Sequence, residues 1–260
     1  MSIKYEKKGN VAYITLNRPE VHNAINIEGR GLLAKIWAEV RDDPEVRIAI
    51  VTGAGDKAFS AGADLKEVGA MLTGGGSANM DQLPTPENDP LLLLQVWKPF
   101  IAAINGIATG AGLELAMVCD LRIAADTARL GLAETKRAVI PGAGGTQRLP
   151  RFVPMCQALE ILMTGDFIDA QEAYRIGLVN KVVPAAELMS AAEELAARIC
   201  ENGPVAVQAV KELAHRGVQM PFAEAMQLEA DYVQKMFQTE DVIEGMMSFA
   251  QKRKATYKGK

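Results

Sequence analysis

The chain has 260 residues, with 28 Lys and Arg against 32 Asp and Glu, giving a formal net charge of −4. Hydrophobic residues make up 49% and charged residues 23%, which excludes a disordered or fibrous chain and suffices for a core needing neither disulfide nor structural metal. The mild acidity gives no global attraction to nucleic acid, and Cys119, Cys156 and Cys200, odd in number and widely spaced, supply neither a disulfide framework nor paired metal ligands.

The opening MSIKYEKKGN (residues 1–10) is neither an apolar signal peptide nor an Arg/Ser-rich transit sequence, so a cytoplasmic location is expected. Val11 to Leu16 (VAYITL) reads as a strand closed by Asn17-Arg18-Pro19. Ile27 to Val40 places Leu32, Leu33, Ile36, Trp37 and Val40 at helical spacing, and Arg47 to Thr52 is a second strand, so these three form one βαβ unit. Residues 70–90, rich in Gly, Pro, Ser, Asn and Asp, read as a long surface loop. The apolar stretch from Leu91 to Ile107 is interrupted by Gln95, Lys98, Pro99 and Asn105, which leaves it short of the ~20 apolar residues of a membrane span. Phe100 to Ala108 is strand-like, Ala111 to Cys119 helix-like and Asp120 to Ala125 strand-like again. The alternation predicts an α/β fold with helices packed on sheets. After Val179 to Val183 no strand pattern remains. Pro184, Pro204 and Pro221 stand where helices should begin, so the last third is expected to be helical. Its tail, QKRKATYKGK (residues 251–260), is a basic cluster that by charge alone reads as a solvated end.

Three glycine-containing turns hold the chemistry-bearing residues: FSAGADLKE (59–67), NGIATGAGLELAMVCD (105–120) and GLAETKRAVIPGAGGTQRLPR (131–151). The second is only a partial match to a dinucleotide fingerprint, since its third glycine position holds Leu or Glu. Glu114 lies among Leu113, Leu115, Ala116, Met117 and Val118, where a carboxylate is costly to bury unless it is hydrogen-bonded. Glu134 lies in another mostly apolar stretch. Two carboxyl groups brought close together titrate apart, giving one acid and one base near neutral pH. That is the pair required to add water across a double bond. Taken singly, each reads as an ordinary surface or capping residue.

With these motifs the chain resembles the enoyl-CoA hydratase/isomerase, or crotonase, superfamily. The likeness runs from NRPEVHNAIN through the three turns and TGDFIDAQEAYRIGLVNKVVP to EGMMSFAQKRKATYKGK. It is nearest the hydratase branch, because both family glutamates are matched, by Glu114 and Glu134. Short stretches (GLELA, ETK with IPGAGGTQRLPR, and YKG) are similar to methylglutaconyl-CoA hydratases. The resemblance implies a spiral of ββα units over residues 1–200 and a helical C-terminal trimerisation region over 201–260. It implies a hydro-lyase acting on an acyl-CoA substrate, in fatty acid or related lipid metabolism. It further implies an oxyanion hole from the N–H groups of Ala63 and Ala111, and a water held by the N–H of Gly142. CoA would lie along Ala61, Ala63, Asp64, Leu65 and Lys66 and meet Phe249 and Lys252 of a neighbouring subunit. CoA enters as part of the substrate, and no metal or redox cofactor is implied. Many relatives have Gly where this chain has Ala111, which leaves the α-substituent of a substrate less room.

The alternatives are another crotonase-fold reaction, isomerisation or C–C hydrolysis, and an RNA-binding role known for a methylglutaconyl-CoA hydratase relative. The net charge and the absence of a basic stripe interleaved with aromatic residues oppose the last. His22 and His215 have no carboxylate or cysteine cluster near them in sequence, which opposes a metal site or a triad. Asp120 and Arg122 are expected to make structural contacts, Trp37 to be core, and Trp97 to be either core or part of the acyl pocket.

Overall fold

The computed structural model describes residues 1–73 and 96–260. Val11–Leu16 (β2) buries every second residue, as a strand with one face on the core must. Ile3–Lys8 (β1) pairs antiparallel beside it, Ile3 opposite Leu16 and Lys8 opposite Val11. Ile27–Asp42 (α1) starts where the Asn26 side chain accepts the Gly29 N–H at 2.9 Å, the usual cap for an otherwise unpaired donor. Its Trp37 is buried and stacks on Phe100, ring centroids 4.8 Å apart. Ile48–Gly53 (β3) then runs parallel to β2, completing the expected βαβ unit.

From β3 onward the chain passes repeatedly from a large sheet to a small one and then into helical structure. Strand β3 is followed by Ala58–Ser60 (β4) and Leu65–Thr73 (α2); Phe100–Ile104 (β5) by Ile107–Thr109 (β6) and Ala111–Val118 (α3). Leu121–Ala125 (β7) is followed by Arg129–Gly131 (β8), a 3-10 turn at Glu134–Arg137, Gly145–Phe152 (α4) and Met155–Thr164 (α5). Ile168–Asp169 (β9), Ala170–Arg175 (α6) and Lys181–Val183 (β10) complete the two sheets. The large sheet has the order β1-β2-β3-β5-β7-β10 and the small sheet β4-β6-β8-β9. This is the expected spiral of ββα units. The main core lies between the sheets and α1 and α3, and includes Leu33, Phe59, Phe100, Leu113, Leu115 and Leu130. On the other face of the large sheet, Leu188–Cys200 (α7) packs Leu188, Ala191, Ala192 and Ala196 over Ile50 and Ile101. Pro204–Gly217 (α8), Phe222–Met236 (α9) and Glu240–Ala250 (α10) follow, with no strand after β10 among the described residues.

Several expectations are corrected. Phe100 to Ala108 is two strands in different sheets, joined by Asn105-Gly106. The joint is tight, because a side chain on Gly106 would run into the Lys57 carbonyl. Of the loop expected at 70–90, residues 70–73 belong to α2; the rest of it lies outside the described residues. The basic tail is not a free solvated end. Arg253 pairs with Glu244 at 2.6 Å and Lys254 with Glu201 at 2.6 Å. The buried Asp241 carboxylate accepts the N–H groups of Lys258 and Gly259 at 2.7 and 2.8 Å, and Arg47 donates to the Tyr257 carbonyl at 2.7 Å. Among the described residues no helix is long and apolar enough to cross a membrane.

Asp120 and Arg122 make the structural contacts expected of them. Asp120 accepts the Phe100 N–H at 2.8 Å and pairs with the buried Lys211 at 2.8 Å, and Arg122 donates to the carbonyls of Leu178 and Cys119 at 2.6 and 2.7 Å. His215 does have a carboxylate partner, invisible in sequence: its Nε2 lies 3.4 Å from Asp120 Oδ1. Trp97 is half-buried.

Candidate active site

Three strand-to-helix turns converge because successive units of the spiral stack side by side. Gly62 and Gly110 have positive φ values of 92° and 54°, a region glycine enters without steric cost. They also lie against one another. A Cβ on Gly62 would sit 3.2 Å from the Ala111 nitrogen, and one on Gly110 would sit 3.8 Å from the Gly62 Cα and 3.3 Å from Glu134 Oε1. The turns before α2 and α3 and the Glu134 carboxyl are therefore in contact.

Among the described residues, the peptide N–H groups of Ala63 and Ala111 meet no acceptor. Ala63 bridges to Ile25 through its neighbours: Ile25 N–H bonds the Gly62 carbonyl at 2.7 Å and Asp64 N–H bonds the Ile25 carbonyl at 3.0 Å. Ala111 opens α3, where the first N–H groups of a helix have no intrahelical acceptor. Neither donates to a described group. Of the neighbouring residues, Ala61, Leu65 and Lys66 are exposed, while Asp64 accepts from Arg18 at 2.9 Å and from the Lys66 N–H at 3.1 Å. The Arg18 guanidinium beside Asp64 holds its carboxyl below the usual range.

Every residue of α3 is buried, Glu114 included. Its Oε1 accepts two backbone donors, Ala143 N–H at 2.8 Å and Gly145 N–H at 2.7 Å. Burial pushes this carboxyl up, and the two N–H groups only partly offset that. Glu134 opens the 3-10 turn, which Thr135 ties to α5 through the Leu162 carbonyl at 3.1 Å. It is half-buried, and its Oε2 is shielded from solvent with no described hydrogen-bond partner. Burial raises it, and the Glu114 charge raises it further. An unpartnered buried carboxyl oxygen is costly, and two carboxyls with raised pKa values that sense one another are suited to moving protons.

The family model described as "Enoyl-CoA hydratase/isomerase" matches residues 6–260. The chain is 40% identical over 260 residues to an (E)-benzylidenesuccinyl-CoA hydratase of Thauera aromatica, covering 100% of both. It is 44% identical over 249 residues to a short-chain-enoyl-CoA hydratase of Clostridium acetobutylicum, covering 96% of this chain and 94% of that protein. The crystal structure of an enoyl-CoA hydratase from Bacillus anthracis superposes with a TM-score of 0.91 at 39% identity, covering 100% of each chain. The chain belongs to the enoyl-CoA hydratase/isomerase family.

Within this crotonase-fold chain the structure brings together Ala63, Ala111, Glu114 and Glu134, with Gly142 in the turn beside Glu114. Phe249 and Lys252 stand apart at the end of α10, where Phe249 is 87% exposed. No described contact joins them to the other four. Sequence reasoning missed the Ala143 and Gly145 N–H groups, having singled out only Gly142 from that turn. A glycine-rich turn running into a helix does announce spare donors, but which of them meets a carboxylate depends on the approach of α3 to α4. No group of three or more His, Cys, Asp or Glu suited to hold a metal ion occurs among the described residues.

Proposed function

We propose that this family member hydrates an α,β-unsaturated acyl-CoA thioester by two-carboxylate acid/base catalysis. The observation that carries the reading is the pairing of the buried Glu114 with the half-buried Glu134, both raised, beside two unused peptide donors. Conjugate addition of water places enolate charge on the thioester oxygen, and the N–H groups of Ala63 and Ala111 would bind that oxygen. A preorganised donor of this kind is worth ~3 kcal/mol in other enzymes. One glutamate takes a proton from water as its oxygen attacks the β-carbon, and the other protonates the α-carbon. The Gly142 N–H, in the turn that holds Glu114, would hold the water. With both carboxylates present the geometry favours hydration over isomerisation, which requires only one. The mechanism asks for no metal or redox cofactor.

CoA is proposed to lie along Ala61, Ala63, Asp64, Leu65 and Lys66 and to end against Phe249 and Lys252 of a second copy. Exposed Phe222, Phe237, Ile243 and Met246 on α9 and α10 and in the turn between them support assembly of the helical region after residue 200 into a trimer or a pair of trimers. Light scattering should therefore give three or six times the 28.0 kDa chain mass. The tail contacts make deletion from Gln251 a poor probe, because it would strip Asp241 and Glu244 of partners. Lys252→Glu is cleaner and should raise KM for acyl-CoA about five-fold, the worth of an exposed ionic contact of ~1 kcal/mol, with little change in kcat. An unchanged KM at low salt would remove Lys252 from the CoA site.

The test of the function is a steady-state screen of short, long, branched and aromatic enoyl-CoA thioesters, following loss of the conjugated enoyl absorbance. Hydration of none of them, by protein that is folded and oligomeric, would overturn the reading.

A further inference from the structure

We propose that Arg148 is a positioning residue for the Glu114 carboxylate, acting through the turn between Pro141 and Gly145; this rests on the two-carboxylate reading above. Arg148 lies in the first turn of α4, and helical side chains lean back toward the N-terminus. Its Nη1 donates to the Ala143 carbonyl at 2.7 Å. That carbonyl belongs to the Ala143–Gly144 peptide, which lies between the two N–H groups that reach Glu114 Oε1. The guanidinium is folded so closely over the turn that a Cβ on Gly144 would collide with Nη1, and Gly144 has a φ of 95°. Glycine there serves the bend.

The charge is as informative as the hydrogen bond. A cation near a helix N-terminus opposes the helix dipole, so the guanidinium is held at this end of α4 by its bond to the Ala143 carbonyl and not by the dipole. Among the described residues, the charged groups that bear on Glu114 are Arg148 from α4, Arg30 from α1 and Glu134 from the 3-10 turn. Burial raises the Glu114 carboxyl, whereas Arg148 and Arg30 favour its ionised form. Arg148 thus fixes where the carboxylate sits and how readily it gives up its proton.

Three variants separate the two contributions. Arg148→Met removes donor and charge, Arg148→Gln keeps a donor without charge, and Arg148→Lys keeps both. The Met variant should lose about 10–100-fold in kcat with KM within about two-fold, the expected result of a misplaced catalytic group. The limb of the pH profile governed by Glu114 should move to higher pH in the Met and Gln variants, and Lys should restore both kcat and limb. Carbon-13 NMR of labelled glutamate, with the Glu114 signal assigned through Glu114→Gln, reads the same titration without turnover. If the Met variant does not fold, the Gln variant carries the test. A Met or Gln variant with wild-type kcat and an unmoved Glu114 titration overturns the proposal. So does a kcat loss that Lys fails to restore and that comes with raised KM and lowered Tm. Failure of the wild-type protein to hydrate any enoyl thioester would sink the two-carboxylate reading, while the NMR titration would still decide whether Arg148 governs Glu114.

Discussion

Glu114→Gln and Glu134→Gln should each lower kcat by about 10²–10⁴-fold, the usual contribution of a positioned general acid or base, with KM changed only a few-fold. The expectation is sharpest for Glu114. A glutamine oxygen can accept the Ala143 and Gly145 N–H groups as the carboxylate does, so the turn keeps its shape while the proton traffic stops. For Glu134 the amide would occupy the position of an oxygen that has no described partner, so circular dichroism and thermal melting should accompany the kinetics. A folded Glu114→Gln variant with full activity would favour a one-carboxylate, isomerase-like reaction. The pH dependence follows from burial, which raises both carboxyls, and from the Glu114 charge, which raises Glu134 further. The group acting as base must be ionised and the one acting as acid protonated. The kcat/KM profile should therefore be a bell whose limbs are the two macroscopic values of the pair.

The largest stability loss is expected on the other side of the large sheet. Lys211→Met deletes the cation that pairs with Asp120 at 2.8 Å, in a contact where the lysine side chain is only 6% exposed and the aspartate 16%. Removing one partner of a buried pair costs ~3–5 kcal/mol because the other charge is left uncompensated. Asp120 borders a cavity of about 650 Å³ between α8 and the starts of β5 and β7, so water reaches it and the loss should fall at the lower end. Burial alone would raise the Asp120 carboxyl, but His215, Lys211 and the Phe100 N–H together hold it below its usual value. An acid depressed in the folded state contributes stability above its unfolded pKa of ~3.9 and loses that contribution as pH falls through the folded value. The deficit of Lys211→Met should accordingly be full at neutral pH and shrink in acid. Urea unfolding at pH 7 and pH 3 measures both. A deficit equal at the two values would show that the lost hydrogen bond from Lys211 Nζ to the Lys98 carbonyl at 2.9 Å, and not the pairing with Asp120, is responsible.

Long apolar runs made much of the fold legible. β2, α1, β3, α3 and β7 show their periods within a few residues, and the prolines at 184, 204 and 221 mark helix starts as the structure has them. What escaped was short or at an edge. β1 carries Lys4, Glu6, Lys7 and Lys8 because it lies at the margin of the large sheet, where charge discourages further pairing. β4, β6, β8 and β9 have three residues or fewer, too few to display a period, and are held by neighbours far away in sequence. The catalytic candidates were legible because a glutamate amid leucines conflicts with its surroundings. The clamp on Glu114, the Asp120–Lys211–His215 contact and the docking of the tail were not, since each joins segments that only the spiral brings together.

The two unused donors beside the glutamates are peptide groups, so no side-chain substitution can delete them, with one exception. Proline has no N–H, and residue 111 is the first of α3, the one helical place where proline is readily accommodated. There the demands of folding and of chemistry part company. Ala111→Pro should leave a folded, melting-competent protein that has lost half of the proposed oxyanion hole, whereas other small residues at 111 should keep it. A deep mutational scan read once for abundance and once for turnover should single out this codon, with proline tolerated in the first readout and rejected in the second. Drift at such a site can reshape the walls around an acyl group without touching the donors, which lets a hydratase scaffold acquire new substrates while its chemistry is inherited intact.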